Sequence, residues 1–321
     1  MGHSQYANRM QRENDVQRVA FYSQFVNVSL IFYKGYNKNM KIYLDAVKKI
    51  MNEGNDREGR YGPTRAMFAV PLRFKMKDGF PAMTTKKLMF RSVAAELLWF
   101  ISGSGDNREL NRLGCHIWDA NGSADYWKPK AKYEGDLGRV YGVQWRHWKR
   151  PDGKEVDQLK EIIERIKTNP YDRRLIVTAW NPGELDQMAL PPCHMIFQFF
   201  VSDGKLSMHM FQRSADMFLG LPFNIASYAL LLHIVAQLTN LEPDELVMTL
   251  GDAHVVHNHF DAVKEQLKRE PLPLCKLWLS PDIKSLEDLN TEQFKEPDDI
   301  FKILKLENYQ SHPAIKAPMG V

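Results

Sequence analysis

The pattern of apolar and polar positions changes character near Met40. From there Ile42, Tyr43, Ala46, Val47, Ile50 and Met51 recur at helical spacing, so an amphipathic helix opens the globular body. Upstream, residues 1–39 are polar and aperiodic except for the short apolar patch Val26–Tyr33. They read as an N-terminal extension, with three alternatives open: a flexible arm, an extra packing segment, or sequence ahead of a start site at Met40. Ala66–Met76, rich in β-prone residues and closed by Asp78-Gly79, predicts a strand running into a turn. A helix is expected over Arg91–Ser102, a loop over 120–137 where Gly, Asn, Lys and Pro mix, and a helix over Val156–Lys167 that stops before Asn169-Pro170.

Leu175–Trp180, Met195–Val201 and Leu206–Phe211 predict strands, the last two joined as a hairpin through Ser202-Asp203-Gly204-Lys205. Phe223–Leu238 predicts a strongly apolar helix, Glu245–Leu250 a strand, and Val256–Leu267 a helix, before a tail punctuated by prolines. Strands and helices intermix without strict βαβ alternation. The pattern therefore implies one α+β domain over residues 40–321, a sheet with helices packed on it, rather than a doubly wound dinucleotide fold.

Composition narrows the function classes. The chain has 321 residues, 44% of them hydrophobic, which suffices for a large core. Its 43 basic and 39 acidic residues leave a formal charge of +4, too small an excess to mark a nucleic-acid binder. Three cysteines, Cys115, Cys193 and Cys275, stand far apart with no C-x-x-C pair, which argues against a disulfide framework or a zinc site and for a reducing, cytoplasmic compartment. Val26–Tyr33 is too short to span a bilayer and lacks the flanks of a signal peptide. His254, His257 and His259 have no acidic or cysteine partner at ligand spacing, so no metal is expected.

The candidate chemistry begins at Pro191-Pro192-Cys193-His194, where two rigid prolines fix the approach to a cysteine at the start of a strand. A buried cysteine is more often a small core residue than a nucleophile. Its surroundings decide between the two. Arg213 and Ser214 follow about twenty residues later, and Asp172-Arg173-Arg174 precedes by a similar distance. Guanidinium forks and a hydroxyl suit a phosphate, and nearby cations are expected to lower the thiol pKa. Glu96, on the apolar run Ala94–Leu98, is costly to bury unless paired or protonated, which marks it as a candidate relay group.

Taken in order, Glu96-Leu-Leu-Trp-Phe100, Ile117-Trp-Asp119, Gly135-Asp-Leu-Gly138, Tyr141-Gly142, Asp172-Arg-Arg174, Met188-Ala-Leu-Pro-Pro-Cys-His194, the run Gln212–Tyr228, Gly251-Asp-Ala-His254 and Ile315-Lys-Ala-Pro318 closely resemble the blocks of the thymidylate synthase family. The resemblance runs from about Met40 to Val321. It implies an α+β fold with a large mixed β-sheet packed with helices, one sheet face forming a homodimer interface. It also implies reductive methylation of dUMP to dTMP, with 5,10-methylenetetrahydrofolate as the donor of both carbon and hydride. By that resemblance Cys193 adds to pyrimidine C6, Glu96 organises proton transfer, and Tyr141 and His194 order the associated waters. Arg57, Arg213, Ser214 and Gln212 belong to the nucleotide site, joined in trans by Arg173 and Arg174 of the other subunit, while His254 holds the sugar. Asn224 reads the N3–O4 edge of uracil, where the cytosine-acting branch tends to carry aspartate. Asp216, Leu219, Gly220 and Phe223 contact folate, Ile117, Trp118 and Leu190 form the floor under its pterin, and Val321 closes the site.

Four positions depart from the family pattern. Val256 stands where a tyrosine normally meets the sugar 3′-hydroxyl, leaving His257 as a substitute or His254 alone. The segment after Arg57 is longer by about two residues and carries Arg60 in what is expected to be a phosphate loop. Met89 replaces a histidine, and the terminus reads Met319-Gly320-Val321. These changes touch substrate and lid contacts and leave two alternatives open: a dUMP hydroxymethylase, in which water rather than hydride reaches the new carbon, and a nucleotide- or RNA-binding regulatory relative. Trp118, which helps exclude water, favours the synthase.

Overall fold

The structure, a computed structural model, describes residues 40–59 and 62–318. Expectations about residues 1–39, Arg60, the tail Met319-Gly320-Val321 and the closure assigned to Val321 lie outside the described residues. The fold is mixed α+β, as expected: a six-stranded sheet packed with helices.

Helix α1 (Lys41–Glu53) buries Tyr43, Leu44, Val47 and Ile50, the stripe read from its spacing, and gives way to extended backbone at Gly54. Strands β1 (Asn55–Gly59) and β2 (Gly62–Lys75) pair antiparallel, with Arg57 opposite Thr64. The segment expected as a phosphate loop is thus flanked by paired strands, and positions 60–61 between them lie outside the described residues. Every residue of β1 is exposed, so it carries no alternation from which a strand could be read. Helix α2 (Phe90–Ile101) is buried on all sides from Val93 to Ile101, Glu96 included. The short helices α3 (Asn107–Arg112), α4 (Asp119–Gly122) and α5 (Tyr141–Arg146) and the two-residue pair β3 (Trp148–Lys149) and β4 (Glu155–Val156) follow. None of these was legible, being too short for a period. Helix α6 (Gln158–Thr168) is capped by the Asp157 carboxylate, which accepts from Lys160 N–H, and buries Leu159, Ile162, Ile163 and Ile166.

Strand β5 (Ile176–Thr178) is shorter than the six residues expected, whereas β6 (His194–Ser202) and β7 (Lys205–Asp216) are longer. Their hairpin turns at Asp203 (φ 50°) and Gly204 (φ 72°), the two positive-φ positions of a tight primed turn. Helix α7 (Gly220–Leu238) starts three residues before Phe223 and crosses to β8 (Glu242–Val256), which lies parallel to β7. By length and composition α7 could cross a bilayer, yet 78% of that stretch is buried in the protein: it is the central core helix. Strand β8 was expected to end at Leu250 with a helix from Val256. It continues through Gly251-Asp252-Ala253-His254 because β7 pairs with it as far as Asp216–His254, and helix α8 (Phe260–Leu267) begins later. The tail supplies a further hairpin, β9 (Lys276–Leu279) with β10 (Leu304–Glu307).

The sheet order is β1-β2-β8-β7-β6-β5. One face is core, with Leu72, Phe74, Phe197, Phe199, Met208, Met210, Leu246 and Met248 buried. Other sheet positions leave large apolar side chains in solvent, Phe68 at 85% and Phe200 at 66% exposure.

Candidate active site

The site forms where β6 begins and β7 and β8 end, against α2, α5 and the start of α7. Cys193 stands immediately before β6, its backbone N–H donating to the Tyr141 hydroxyl at 2.7 Å. Its carbonyl accepts from Arg213 N–H on β7 at 2.8 Å, so the hairpin ladder holds the two residues together. The Arg213 guanidinium donates to Pro192 O (2.8 Å) and Pro191 O (2.9 Å), and lies 3.8 Å from Cys193 Sγ. The two prolines thus do more than stiffen the approach: their carbonyls fix the cation beside the sulfur.

The thiol pKa corrects the expectation drawn from the cations. Burial pushes Cys193 above its ordinary value, and the pull of Arg213 and the Tyr141 hydroxyl offsets this only in part. The resting residue is a thiol, poised beside the charge that would stabilise its anion. Cys115 and Cys275 are more inert, both pushed by burial to about 11.

Behind Cys193 lies an aromatic wall. Tyr141 stacks on Phe100 (4.9 Å) and packs at a tilt against the His194 ring (4.2 Å), and His194 Nδ1 meets the Tyr228 hydroxyl at 2.7 Å. Burial drives His194 down to about 3, so its imidazole is neutral near pH 7 and orients neighbours rather than carrying charge. Tyr228 is a residue the sequence reading missed. The available signal was its place one turn beyond Asn224 on an apolar helix, where a hydroxyl needs a partner. Glu96 is raised to about 7 by burial, opposed by the 2.7 Å hydrogen bond it accepts from Trp118 Nε1. A carboxyl that exchanges its proton near neutrality is what a relay requires.

Opposite Cys193, amides form a directed chain. Gln212 Nε2 donates to the Ser214 backbone carbonyl and to Asn224 Oδ1, both at 3.0 Å. The Ser214 carbonyl can only accept, so it orients Gln212, and Gln212 in turn orients Asn224 with Oδ1 as acceptor and Nδ2 free to donate. Gln212 Oε1 is buried with no partner among the described residues. Asp216, at the end of β7, accepts from Phe218 and Leu219 N–H through Oδ1 alone. Ile117, Leu190, Leu219 and Phe223 are half-buried around the core's edge, while Trp118 is buried. Together they offer apolar surface with one carboxylate at its border, which fits a flat heterocycle that has N–H donors on one edge.

On β8, His254 lies opposite Asp216, and Asp252 opposite Ser214. Asp252 holds Arg57 at 2.9 Å and His254 Nδ1 at 3.2 Å. His257 Nε2 is bonded to Asp56 and its ring lies against Phe260. Val256, last in β8, pairs with Thr64. Arg173 and Arg174 are exposed before β5. Arg174 is bound to Asp172, and among the described residues neither reaches the Cys193 cluster. Among the described residues no group of side chains could hold a metal. A family model described as thymidylate synthase matches residues 41–321.

Proposed function

This chain belongs to the thymidylate synthase family, and from that premise we propose that it converts dUMP to dTMP with a reduced folate as the second substrate. The observation that carries the choice of nucleotide is the amide chain from the Ser214 carbonyl through Gln212 to Asn224. In that orientation Asn224 accepts from uracil N3–H and donates to O4. Cytosine presents the reverse pattern, and flipping Asn224 to meet it would set two donors against each other at Gln212 Nε2.

Cys193 adds through sulfur to C6 of the ring, which leaves C5 nucleophilic. Arg213, held by two carbonyls beside Sγ, favours the thiolate that this step consumes and is also placed for phosphate, so nucleotide binding and thiol activation draw on the same cation. Glu96 exchanges a proton near neutrality, and Tyr141 and neutral His194 fix the polar atoms around the ring. Asp216, Leu219, Gly220, Phe223, Ile117, Trp118 and Leu190 would hold 5,10-methylenetetrahydrofolate, which supplies the one-carbon unit and then the hydride. Trp118 bonds Glu96, so the pterin floor and the proton relay share one contact. A homodimer is part of the proposal: Arg173 and Arg174 are exposed and apart from their own chain's site, and the sheet bears exposed Phe68 and Phe200.

The test is mass identification of the product from dUMP and methylenetetrahydrofolate, with absorbance monitoring of dihydrofolate. dTMP with equal dihydrofolate is expected. Hydroxymethyl-dUMP without dihydrofolate would assign the hydroxymethylase reaction instead, and no turnover would overturn the reading.

A further inference from the structure

Strand β1 carries Arg57, yet it has little to hold it in place. Its five residues are all exposed and it pairs only with β2, at the edge of the sheet. An edge strand with no buried face depends on its ladder and on side-chain tethers. The pleat sends Asp56 and Arg57 to opposite faces, so fixing one aims the other. Arg57 reaches Asp252 on β8, beside Ser214 in the ladder and two residues before His254. That ion pair is exposed at the arginine (61%), the class of pair worth least and most easily exchanged for a phosphate.

The Asp56 side is built differently. Its Oδ1 accepts from Arg65 Nε (2.8 Å) and His257 Nε2 (3.0 Å), and its Oδ2 from Arg65 Nη2 (3.0 Å). Arg65 is the direct cross-strand partner of Asp56 and also donates Nη1 to Met51 O at the end of α1. The Arg65 guanidinium lies 5.0 Å from the Phe260 ring, and the His257 ring lies 4.5 Å from it. Asp56 is thereby tied to β2, to α1, to the end of β8 and to α8.

Building on the nucleotide reading above, we infer that Asp56, Arg65 and His257 form a clamp that positions Arg57 for the 5′-phosphate of the substrate, with His257 as its distal anchor. When phosphate replaces Asp252, Arg57 keeps its aim only because Asp56 stays fixed beneath it. His257 is a positioning residue: its polar contact is with Asp56, which stands on the strand face opposite Arg57.

The experiment compares wild type, His257→Ala, His257→Gln, Arg57→Ala and the double variant, using calorimetric titration with dUMP and with inorganic phosphate alongside steady-state kinetics. His257→Ala is expected to weaken both ligands by about three- to tenfold, in the range of one charge-assisted hydrogen bond at a part-exposed site, with kcat unchanged. His257→Gln, whose amide can still donate to Asp56, restores wild-type affinity. In the Arg57→Ala background, His257→Ala has no further effect. Additive losses in the double variant, or weakening of dUMP alone, would show that His257 touches the nucleotide itself and overturn the clamp. Failure of glutamine to rescue would overturn it too. Absence of dUMP binding by the wild-type protein would instead overturn the nucleotide reading on which the clamp rests.

Discussion

Replacing Glu96 by glutamine should make the protein more stable at alkaline pH while disabling it. Glu96 is 8% exposed, and burial raises its carboxyl from the ordinary 4.5 to about 7. Between those values the unfolded chain has released this proton and the folded chain still holds it. The unfolded state then binds fewer protons, so stability falls as pH rises from about 4.5 to about 7 and is constant outside that window. At about 1.4 kcal/mol per pH unit, the loss reaches about 3 kcal/mol. Glutamine resembles the protonated acid: it accepts from Trp118 Nε1 through its oxygen and carries a donor where the acid carried O–H. Wild type and Glu96→Gln should therefore unfold at the same urea concentration near pH 4, whereas near pH 8.5 the variant should be more stable by about 3 kcal/mol. Urea titrations at both pH values and one protein concentration give the difference, in which all other titrating groups cancel. Turnover should fall about 100-fold or more with the relay removed. A stability difference independent of pH, or a wild type more stable than the variant at pH 8.5, would refute the assignment of a desolvated, proton-exchanging Glu96.

Other consequences can be checked as directly. Asn224→Asp should weaken dUMP binding by about tenfold or more and raise the relative affinity for dCMP, since the carboxylate removes the donor that meets O4; competitive titration with both nucleotides measures it. Among the three cysteines, Cys193 should be the one alkylated by iodoacetamide in the native protein, with a rate that rises with pH as the burial-raised thiol ionises, and peptide mapping reads the site. Gly251→Ala would bring a Cβ within 2.8 Å of the Arg213 carbonyl, parting β7 from β8 beneath the cation, so dUMP affinity should drop and thermal stability with it. Ala69, exposed on β2, adopts φ 59°; Ala69→Gly should relieve about 1–2 kcal/mol of left-handed strain, partly offset by unfolded-chain entropy, and raise stability by about 0.5–1 kcal/mol in the same urea assay.

How much of the molecule was legible follows from how each element earns its place. Helices α1, α6 and α7 and the β6–β7 hairpin announce themselves locally: a repeating stripe, an Asp157 cap, an apolar run, an Asp-Gly turn. Strands β1 and β8 do not. β1 buries nothing, and β8 is held on both sides by distant partners: antiparallel pairing to β2 as far as Thr64–Val256, and ten residue pairs parallel to β7, brought alongside by a nineteen-residue helix. Pairing of that kind lies in no window of the sequence.

The site shows the same division at the scale of single side chains. Residue types were readable because a nucleophile, a relay and a phosphate grip would require particular groups, so Cys193, Glu96 and Arg213 stand out, whereas Asn224 was read only through the family resemblance. Their electrostatic state was not readable, because it depends on which neighbours the fold supplies. Arginine near a thiol suggested a lowered pKa; burial outweighs it, and the net shift is upward. His257 stands beside a missing tyrosine; that its Nε2 is engaged by Asp56 could not be read from the sequence. In both cases the neighbours that the fold supplies, not the residue type, set the state of the group. Gln212 was read through the family resemblance, but its orientation was not legible: the Ser214 carbonyl sets it, and it in turn fixes the donor pattern of Asn224. On the proposed reading, the donor pattern offered to the pyrimidine edge traces back to a backbone carbonyl, which has no residue-type signature at all.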